Sequence, residues 1–477
     1  MGGNMPYPAE EVLGISPFVR LRRESNKVVI SHVPHLQVGY GVLTAPQTTV
    51  FCLIDGQRTV GEVITAVSQL FGLSQEESAK YLFKLLDYIT PDGKMLVRNA
   101  RMRRVASFDP TAFIVPAQTA DLSSRLEAPV SMMLQPTHAC QADCIYCYAC
   151  RRPIPRRDHL GTSRILELLE EMAAQGIWQV NFCGGDPFCQ SDFLTILGRA
   201  LKLGLVADIS TKAYLSRNTV HELANMGLDY IQVSIDAAEP EKGDFIFGRR
   251  GQYNRVLKTL RNLLETNIFV RTNSIIVKQN LDDLEAIILK LKGLGVKEMK
   301  FSPAFRSMHT DNLRYLLNAD EIARFESDMT LLTERYTNDD LTIFHSTMPD
   351  PSNLSNEQRE QYWFKERPIC SSGRSSMIVT PDGKVSICEE VPQTSDLIVG
   401  DVKRMSLAEV WHSPTMKALA FPAKDKFEGT PCAGCEQYDP CVLHKGHCFK
   451  DALKAYGRVF TVNPFCPSAP RPIPRLY

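Results

Sequence analysis

Cys140-Gln-Ala-Asp-Cys144-Ile-Tyr-Cys147 follows the apolar run Val130 to Leu134, and the spacing of its thiols decides how the rest of the chain is read. A tight loop carries three sulfurs, separated by three and then two residues, to one place. The chemistry that calls for this is an iron–sulfur cluster. A four-iron cubane held by three cysteines keeps one iron open to another molecule. The plainer alternative is a zinc knot, and the spacing alone does not separate the two, so the surrounding sequence has to.

From 130 to 302 strand and helix patterns alternate. Strands are predicted at Val130 to Leu134, Ile177 to Cys183, Leu205 to Ser210, Tyr230 to Ile235, Ile268 to Val277 and Lys297 to Ser302. Helical spacing lies between them, as in Val256, Leu257, Leu260, Leu263 and Leu264. Successive βα units predict an α/β fold with a parallel sheet and outer helices. Chemistry in such sheets gathers beyond the carboxyl ends of the strands, and the Cys140 loop directly follows the first one. After the second strand comes Gly184-Gly185-Asp186-Pro187, where two glycines permit close backbone approach and positive φ.

The cysteine loop, with an aromatic just before its last thiol and this glycine turn one strand later, resembles the radical SAM enzymes. The resemblance implies a partial (β/α)6 barrel over 129–305, with a [4Fe-4S] cluster on Cys140, Cys144 and Cys147 whose open iron binds the amino and carboxyl groups of S-adenosylmethionine. Gly184, Gly185, Asp186 and Pro187 match the family's GGEP motif, with Asp in place of Glu, and would hold the amino group. Ser234 and Asp236, two apart on one face of a strand end, match the ribose position, with Lys212 ending the third strand beside them. Arg249 or Arg250 would reach the methionine carboxylate, and Tyr146 would pack near the adenine. Cys150, Cys183 and Cys189 fit no spacing and are expected to be buried or incidental thiols.

A second group of cysteines begins at Cys370, continues with Cys388 after a Gly383, and adds Cys432-Ala-Gly-Cys435, Cys441, Cys448 and Cys466. Seven thiols exceed one four-ligand site. The pattern resembles the SPASM domain, expected over 366–477 beyond a connecting helical region at 306–365. Carried over by position, Cys432, Cys435, Cys441 and Cys466 would hold one auxiliary iron–sulfur cluster, and Cys370, Cys388 and Cys448 another, whose fourth ligand has no match. Six residues separate Cys441 from Cys448, a departure from the family's shorter spacing. Zinc is the rival reading for C-x2-C pairs. Glu389 stands immediately after Cys388, where related sulfatase maturases carry the acid that removes a substrate proton, and is the candidate general base.

Residues 18–100 read as a small domain of three strands (Phe18 to Arg23, Lys27 to Val33, Val38 to Leu43), two helices opened by capping boxes at Thr59-Glu62 and Ser74-Glu77, and a last strand at Met95 to Arg98. This order is winged-helix-like. The helix from Val60 to Phe71 contains no Lys or Arg, which argues against reading nucleic acid. The order resembles the RiPP recognition element, which binds the leader of a ribosomally made peptide as an added strand. A linker is expected at 101–128, its basic Arg101-Met-Arg-Arg104 a solvated face.

The 54 basic residues equal the 54 acidic ones, so charge gives no reason to expect a nucleic-acid or membrane partner. No signal-like terminus or membrane-length apolar run is present, which predicts a cytoplasmic protein. Fourteen cysteines there point to metal or redox work. The resemblances together imply a maturase that cleaves S-adenosylmethionine to a 5′-deoxyadenosyl radical and modifies a leader-bearing precursor peptide, first by a thioether or similar crosslink. An electron donor such as flavodoxin or ferredoxin would serve it. Sulfatase-type or cofactor-forming maturation and a zinc-containing winged-helix regulator are the alternatives.

Overall fold

The computed structural model describes residues 7–32, 40–89, 95–98, 100, 105–115, 125–150, 153–393 and 395–473. The chain divides into two compact units, 1–130 and 131–477.

In the first unit, strands β1 (Gly14–Ile15), β2 (Val19–Arg23), β3 (Val28–His32) and β4 (Tyr40–Leu43) precede helices α1 (Ala45–Cys52), α2 (Val60–Phe71) and α3 (Gln75–Ile89) and strand β5 (Leu96–Val97). Strands β2, β3 and β4 form an antiparallel sheet. The expected boxes open α2 and α3: the Thr59 hydroxyl accepts from Glu62 N–H while Glu62 accepts from Thr59 N–H at 2.8 Å, and Ser74 and Glu77 repeat the exchange. Gly72, at φ 66°, ends α2 in the left-handed conformation. Helix α1 has no counterpart in the sequence reading. It carries its own box, Thr44 with Gln47, but Thr48, Val50, Phe51 and Cys52 are all buried and give it no apolar stripe.

The last strand is a correction in detail: β5 pairs with β1, a two-residue strand before the sheet, and not with the three-stranded sheet. Phe108, Phe113 and Val115, from the stretch expected as a linker, pack on the core of this unit. The basic Arg101 to Arg104 cluster lies outside the described residues.

The second unit is built on one ten-stranded sheet. The six predicted strands are β6 (Ser131–Thr137), β7 (Gln179–Gly184), β8 (Val206–Thr211), β9 (Tyr230–Ser234), β10 (Phe269–Ile276) and β11 (Glu298–Pro303), all parallel to their neighbours. A seventh, β12 (Thr342–His345), lies in parallel beyond β11, in a region that sequence reading left as mixed and helical. At the other edge β13 (Ser376–Val379) adds in parallel to β6, and β14 (Lys384–Ser386) and β15 (Ile398–Asp401) follow antiparallel. The cysteine-rich segment therefore continues the barrel sheet. The sheet has two ends, so the barrel is partial.

The two faces of this sheet differ in chemistry. Met132, Leu134, Val180, Phe182, Ile231, Val233 and Phe301 are fully buried against the helices. The alternate positions are polar: Gln135, Asn181, Asp208, Gln232, Ser234, Arg271, Asn273 and Lys300. Strand pairing aligns Ser234 with Asn273 and Asn273 with Lys300, so these three share the inner face. Burial pushes the Asp208 carboxyl up to about 6, against the pull of Arg271.

Candidate active site

The cysteine loop is held from several sides through its backbone. Gly185 N–H donates to Thr137 O and Asp186 N–H to Ala139 O, both at 2.9 Å, which joins the glycine turn to the start of the loop. Asp143 N–H and Ile145 N–H donate to Phe247 O and Ile246 O at the end of helix Pro240–Ile246. Beyond the last thiol, the Thr310 hydroxyl donates to Cys147 O at 2.6 Å.

Two glycines make these approaches feasible. A Cβ on Gly185 would lie 2.0 Å from Ala139 O, and one on Gly248, at φ 63°, would lie 2.1 Å from Asp143 O. Gly185→Ala is therefore expected to push the loop off its seat and lower the iron per chain by the share of one cluster of the three. Iron and sulfide per chain after anaerobic reconstitution checks this, with Gly293→Ala, where the space is open and φ is not positive, as the control.

The Asp186 carboxylate is fully engaged. One oxygen accepts from Phe188 N–H at 3.1 Å, the other from the Thr211 hydroxyl and Lys212 N–H, each at 2.8 Å. It thus ties the β7 turn to the end of β8. With the N–H groups of Gly185 and Asp186 also taken, the turn is left carbonyl oxygens to offer, the polarity an ammonium needs.

Asp236 has partners of its own within the chain. It is completely buried, accepts Ile275 N–H at 2.9 Å on one oxygen and the Tyr146 hydroxyl on the other. Both oxygens are used within the chain, so Asp236 locks Tyr146 in place where a ribose contact was expected. Ser234 is buried on the same face. The Lys212 ammonium stands 5.5 Å from the Tyr146 ring centroid and 5.8 Å from that of Phe247. Burial opposes its charge, but Cys144, Asp236, Cys140 and Cys147 outweigh that and raise its pKa. Arg249 donates to Gln141 O at 2.9 Å, at the edge of the loop.

The cysteines lie near one another in groups. Burial pushes the Cys144 thiol up to about 12, and the charges of Cys147 and Cys140 push the same way. Cys432 is raised to about 12 by burial and then by Cys466, Cys435 and Cys441. Burial, Glu390 and Cys370 raise Cys388 to about 12, and Cys448 is raised by burial, Asp451 and Cys370.

Cys432, Cys435, Cys441 and Cys466 line one cavity of about 40 Å³ with Trp363, Phe427 and His447. Cys370, Cys388 and Cys448 line another of about 320 Å³, together with Glu389, Glu390 and Asp451. Among the described residues no three His, Cys, Asp or Glu side chains meet at a single metal-ion position. Each set supplies sulfur donors, the ligand type that holds an iron–sulfur cluster. On donor type and grouping, the three sets fit iron–sulfur clusters.

The two glutamates after Cys388 have separate fates. Glu390 takes Lys450 at 2.6 Å and Lys454 at 2.7 Å; burial works against its charge, yet the two ammonium groups hold its pKa below the ordinary value. Glu389 lacks those partners. Burial and the neighbouring Glu390 push it up to about 7, against Lys450 and a hydrogen bond from Tyr148.

Sequence reasoning missed several groups here. Tyr148, whose ring packs 5.3 Å from that of Phe305, meets Glu389. Cys183, expected to be incidental, hydrogen-bonds Gln135 and feels the Glu389 charge. His309, in the loop after β11, bonds the Glu389 backbone and keeps a buried ring nitrogen without a partner. These residues belong to no spaced motif, since distant strands and loops bring them together. Cys150 is buried, as expected.

Comparison with known proteins supports the same picture. Residues 134–291 match the radical SAM superfamily, and residues 370–436 match the iron–sulfur cluster-binding domain SPASM. A PqqA peptide cyclase of Granulibacter bethesdensis is 24% identical over 364 residues, covering 73% of this chain and 89% of its own. Streptococcus suis SuiB bound to the precursor peptide SuiA has a similar fold, with a TM-score of 0.60 at 16% identity, over 96% of this chain and 99% of that one. The enzyme anSMEcpe with bound AdoMet also shares it, at a TM-score of 0.51 and 12% identity, over 71% and 94%. Among the described residues no helix is long and apolar enough to cross a membrane.

Proposed function

We propose, on the premise that this chain is a radical SAM enzyme carrying a SPASM domain, that it modifies a ribosomally synthesised precursor peptide by a crosslink such as a thioether. The observation that carries this reading is the cavity of about 320 Å³ in which a three-cysteine set and Glu389 meet. Its size contrasts with the about 40 Å³ around the four-cysteine set and suits a site that also admits a substrate side chain. A relative named as a peptide cyclase and a fold neighbour holding its precursor peptide support the choice of substrate.

Cys140, Cys144 and Cys147 would hold the cluster that binds S-adenosylmethionine, and Cys370, Cys388, Cys448 and Cys432, Cys435, Cys441, Cys466 the auxiliary clusters. Bound there, these groups supply a 5′-deoxyadenosyl radical that takes one hydrogen atom, and an acceptor for one electron. The chain supplies the rest. The glycine turn and Lys212 place polar groups around the loop, and Tyr146, fixed by Asp236, closes its inner side. Glu389 takes the proton, so a crosslink that removes two hydrogens balances as one hydrogen atom, one proton and one electron. The Tyr148 hydroxyl fixes the direction of the carboxylate. A reduced flavodoxin or ferredoxin in the cytoplasm would deliver the first electron.

Leader binding falls to the first unit. Of the two sheet edges, β2 is flanked by Arg22, which donates to Pro129 O and Ala128 O. On β4 the outward N–H and C=O of Val42 are both held by the Tyr88 hydroxyl of α3 at 3.2 Å. A leader strand would replace that hydroxyl. Tyr88→Phe, which releases both groups, is expected to tighten a labelled leader peptide several-fold in fluorescence anisotropy; unchanged affinity counts against this edge.

The direct test is the anaerobically reconstituted protein with a leader-bearing precursor peptide, S-adenosylmethionine and a reductant. The peptide is expected to lose the mass of two hydrogens as 5′-deoxyadenosine accumulates. Peptide of unchanged mass, with free 5′-deoxyadenosine formed, would reject the crosslinking reading.

A further inference from the structure

Tyr362–Glu366 forms a π-helical turn, a rare backbone state that concentrates at functional sites. It carries Trp363 and delivers Arg367 just past its end. Trp363 is 3% exposed and lines both cysteine cavities. Its indole N–H donates to Cys441 Sγ at 3.2 Å. The Arg367 guanidinium carbon lies 3.4 Å from the Trp363 ring centroid, and its N–H groups donate to Trp363 O at 3.1 Å and Gly446 O at 2.8 Å. Arg367 also lines the cavity of Cys370, Cys388 and Cys448.

Two carbonyl oxygens and an indole face hold this cation in place without neutralising it. Burying an arginine at 6% exposure is unfavourable unless anions stand nearby. Those around it are Cys441, Cys448 and Cys370, and after them the Asp451 carboxylate, whose charges act against the burial that presses the guanidinium pKa down. Neutral thiols would leave the Asp451 carboxylate as the remaining anion among these. Cluster-bound thiolates answer it from both sides.

We infer that Arg367, stacked on Trp363, is a positioning residue whose buried positive charge sets the reduction potentials of both auxiliary cluster sites. A fixed cation stabilises the reduced, more negative form of a cluster, and a hydrogen bond to a ligating sulfur does the same. Arg367 raises both auxiliary potentials, while the Trp363 N–H raises that of the Cys432, Cys435, Cys441, Cys466 site alone. The extra shift favours the enclosed site as the final acceptor, so that an electron received near Glu389 passes on to it.

The inference rests on the cluster reading of the two cysteine sets, and the test separates the two. Arg367→Met, Arg367→Lys and Trp363→Phe are prepared as full-length holoenzymes, counted for iron and sulfide, and titrated by potentiometry with paramagnetic resonance detection. In Arg367→Met both auxiliary couples are expected to move negative by a tenfold or greater change in the reduction equilibrium, about 59 mV for one electron. The couple of the Cys140, Cys144, Cys147 cluster stays in place. Arg367→Lys recovers most of the shift, and Trp363→Phe moves one auxiliary couple only.

Loaded Arg367→Met protein with unmoved potentials overturns the inference. Should Arg367→Met fail to load, Arg367→Lys must load with near-native potentials; failure there too makes shape the requirement and overturns it equally. Iron missing from the native protein would instead reject the cluster reading itself.

Discussion

Replacing Cys140, Cys144 and Cys147 together by Ala is expected to reduce 5′-deoxyadenosine formation to background while leaving the fold in place. The cysteines are partly buried in the loop after β6, and that loop is seated by backbone hydrogen bonds, Gly185 and Asp186 donating and Phe247 and Ile246 accepting, that the substitution does not touch. Loss of thermal stability should therefore be small. The auxiliary sets, with their own cavities, should retain their iron. The triple variant would then hold iron without cleaving S-adenosylmethionine, an outcome that separates the catalytic loop from the rest of the metal content. Chromatography of the quenched reaction beside an iron assay reads both.

The second large effect belongs to Glu389. Glu389→Gln keeps the shape and the Tyr148 contact but removes the base, so product formation should fall by roughly 10²-fold to 10⁴-fold. 5′-Deoxyadenosine formation, which precedes proton removal, should persist, and its uncoupling from product is the diagnostic. Glu390→Gln, which removes an ion-paired carboxylate, should act mainly on stability.

The pH profile carries the same information with a definite sign. Burial raises the Glu389 pKa from the ordinary carboxylate value to about 7, and the base works only when ionised. Product formation should therefore decline as pH falls through about 7. Because ionising Glu389 is harder in the folded chain, its contribution to stability is lost as pH rises through that value, and Glu389→Gln removes this loss. A profile flat from pH 6 to 8 would take Glu389 out of the role.

The barrel strands were legible because each is a short apolar run followed by a helix-spaced one. Strand β12 was not, since Thr342-Ile-Phe-His345 is four residues long in a polar stretch and gains its place only by pairing with β11. Helix α1 was missed for a different reason. Its buried residues surround it, leaving no stripe for periodicity to detect.

At the site, spacing revealed the thiols, which a loop must bring together locally. Asp186 was read as a ligand contact from the glycine-turn motif and Asp236 from its strand end, but a carboxylate's partners cannot be read from either. In the fold, N–H and hydroxyl donors from Lys212, Thr211, Ile275 and Tyr146 occupy their oxygens. Tyr148, Cys183, His309, Trp363 and Arg367 come together only through tertiary structure.

One measurement bears most directly on the claim that Cys140, Cys144 and Cys147 hold a cluster for reductive cleavage. The anaerobically purified chain is reduced and given S-adenosylmethionine, and 5′-deoxyadenosine and methionine are counted. The account predicts both products in equal amounts from protein rich in iron and sulfide. Protein that contains zinc in place of iron, or that holds full iron and releases neither product, would contradict it.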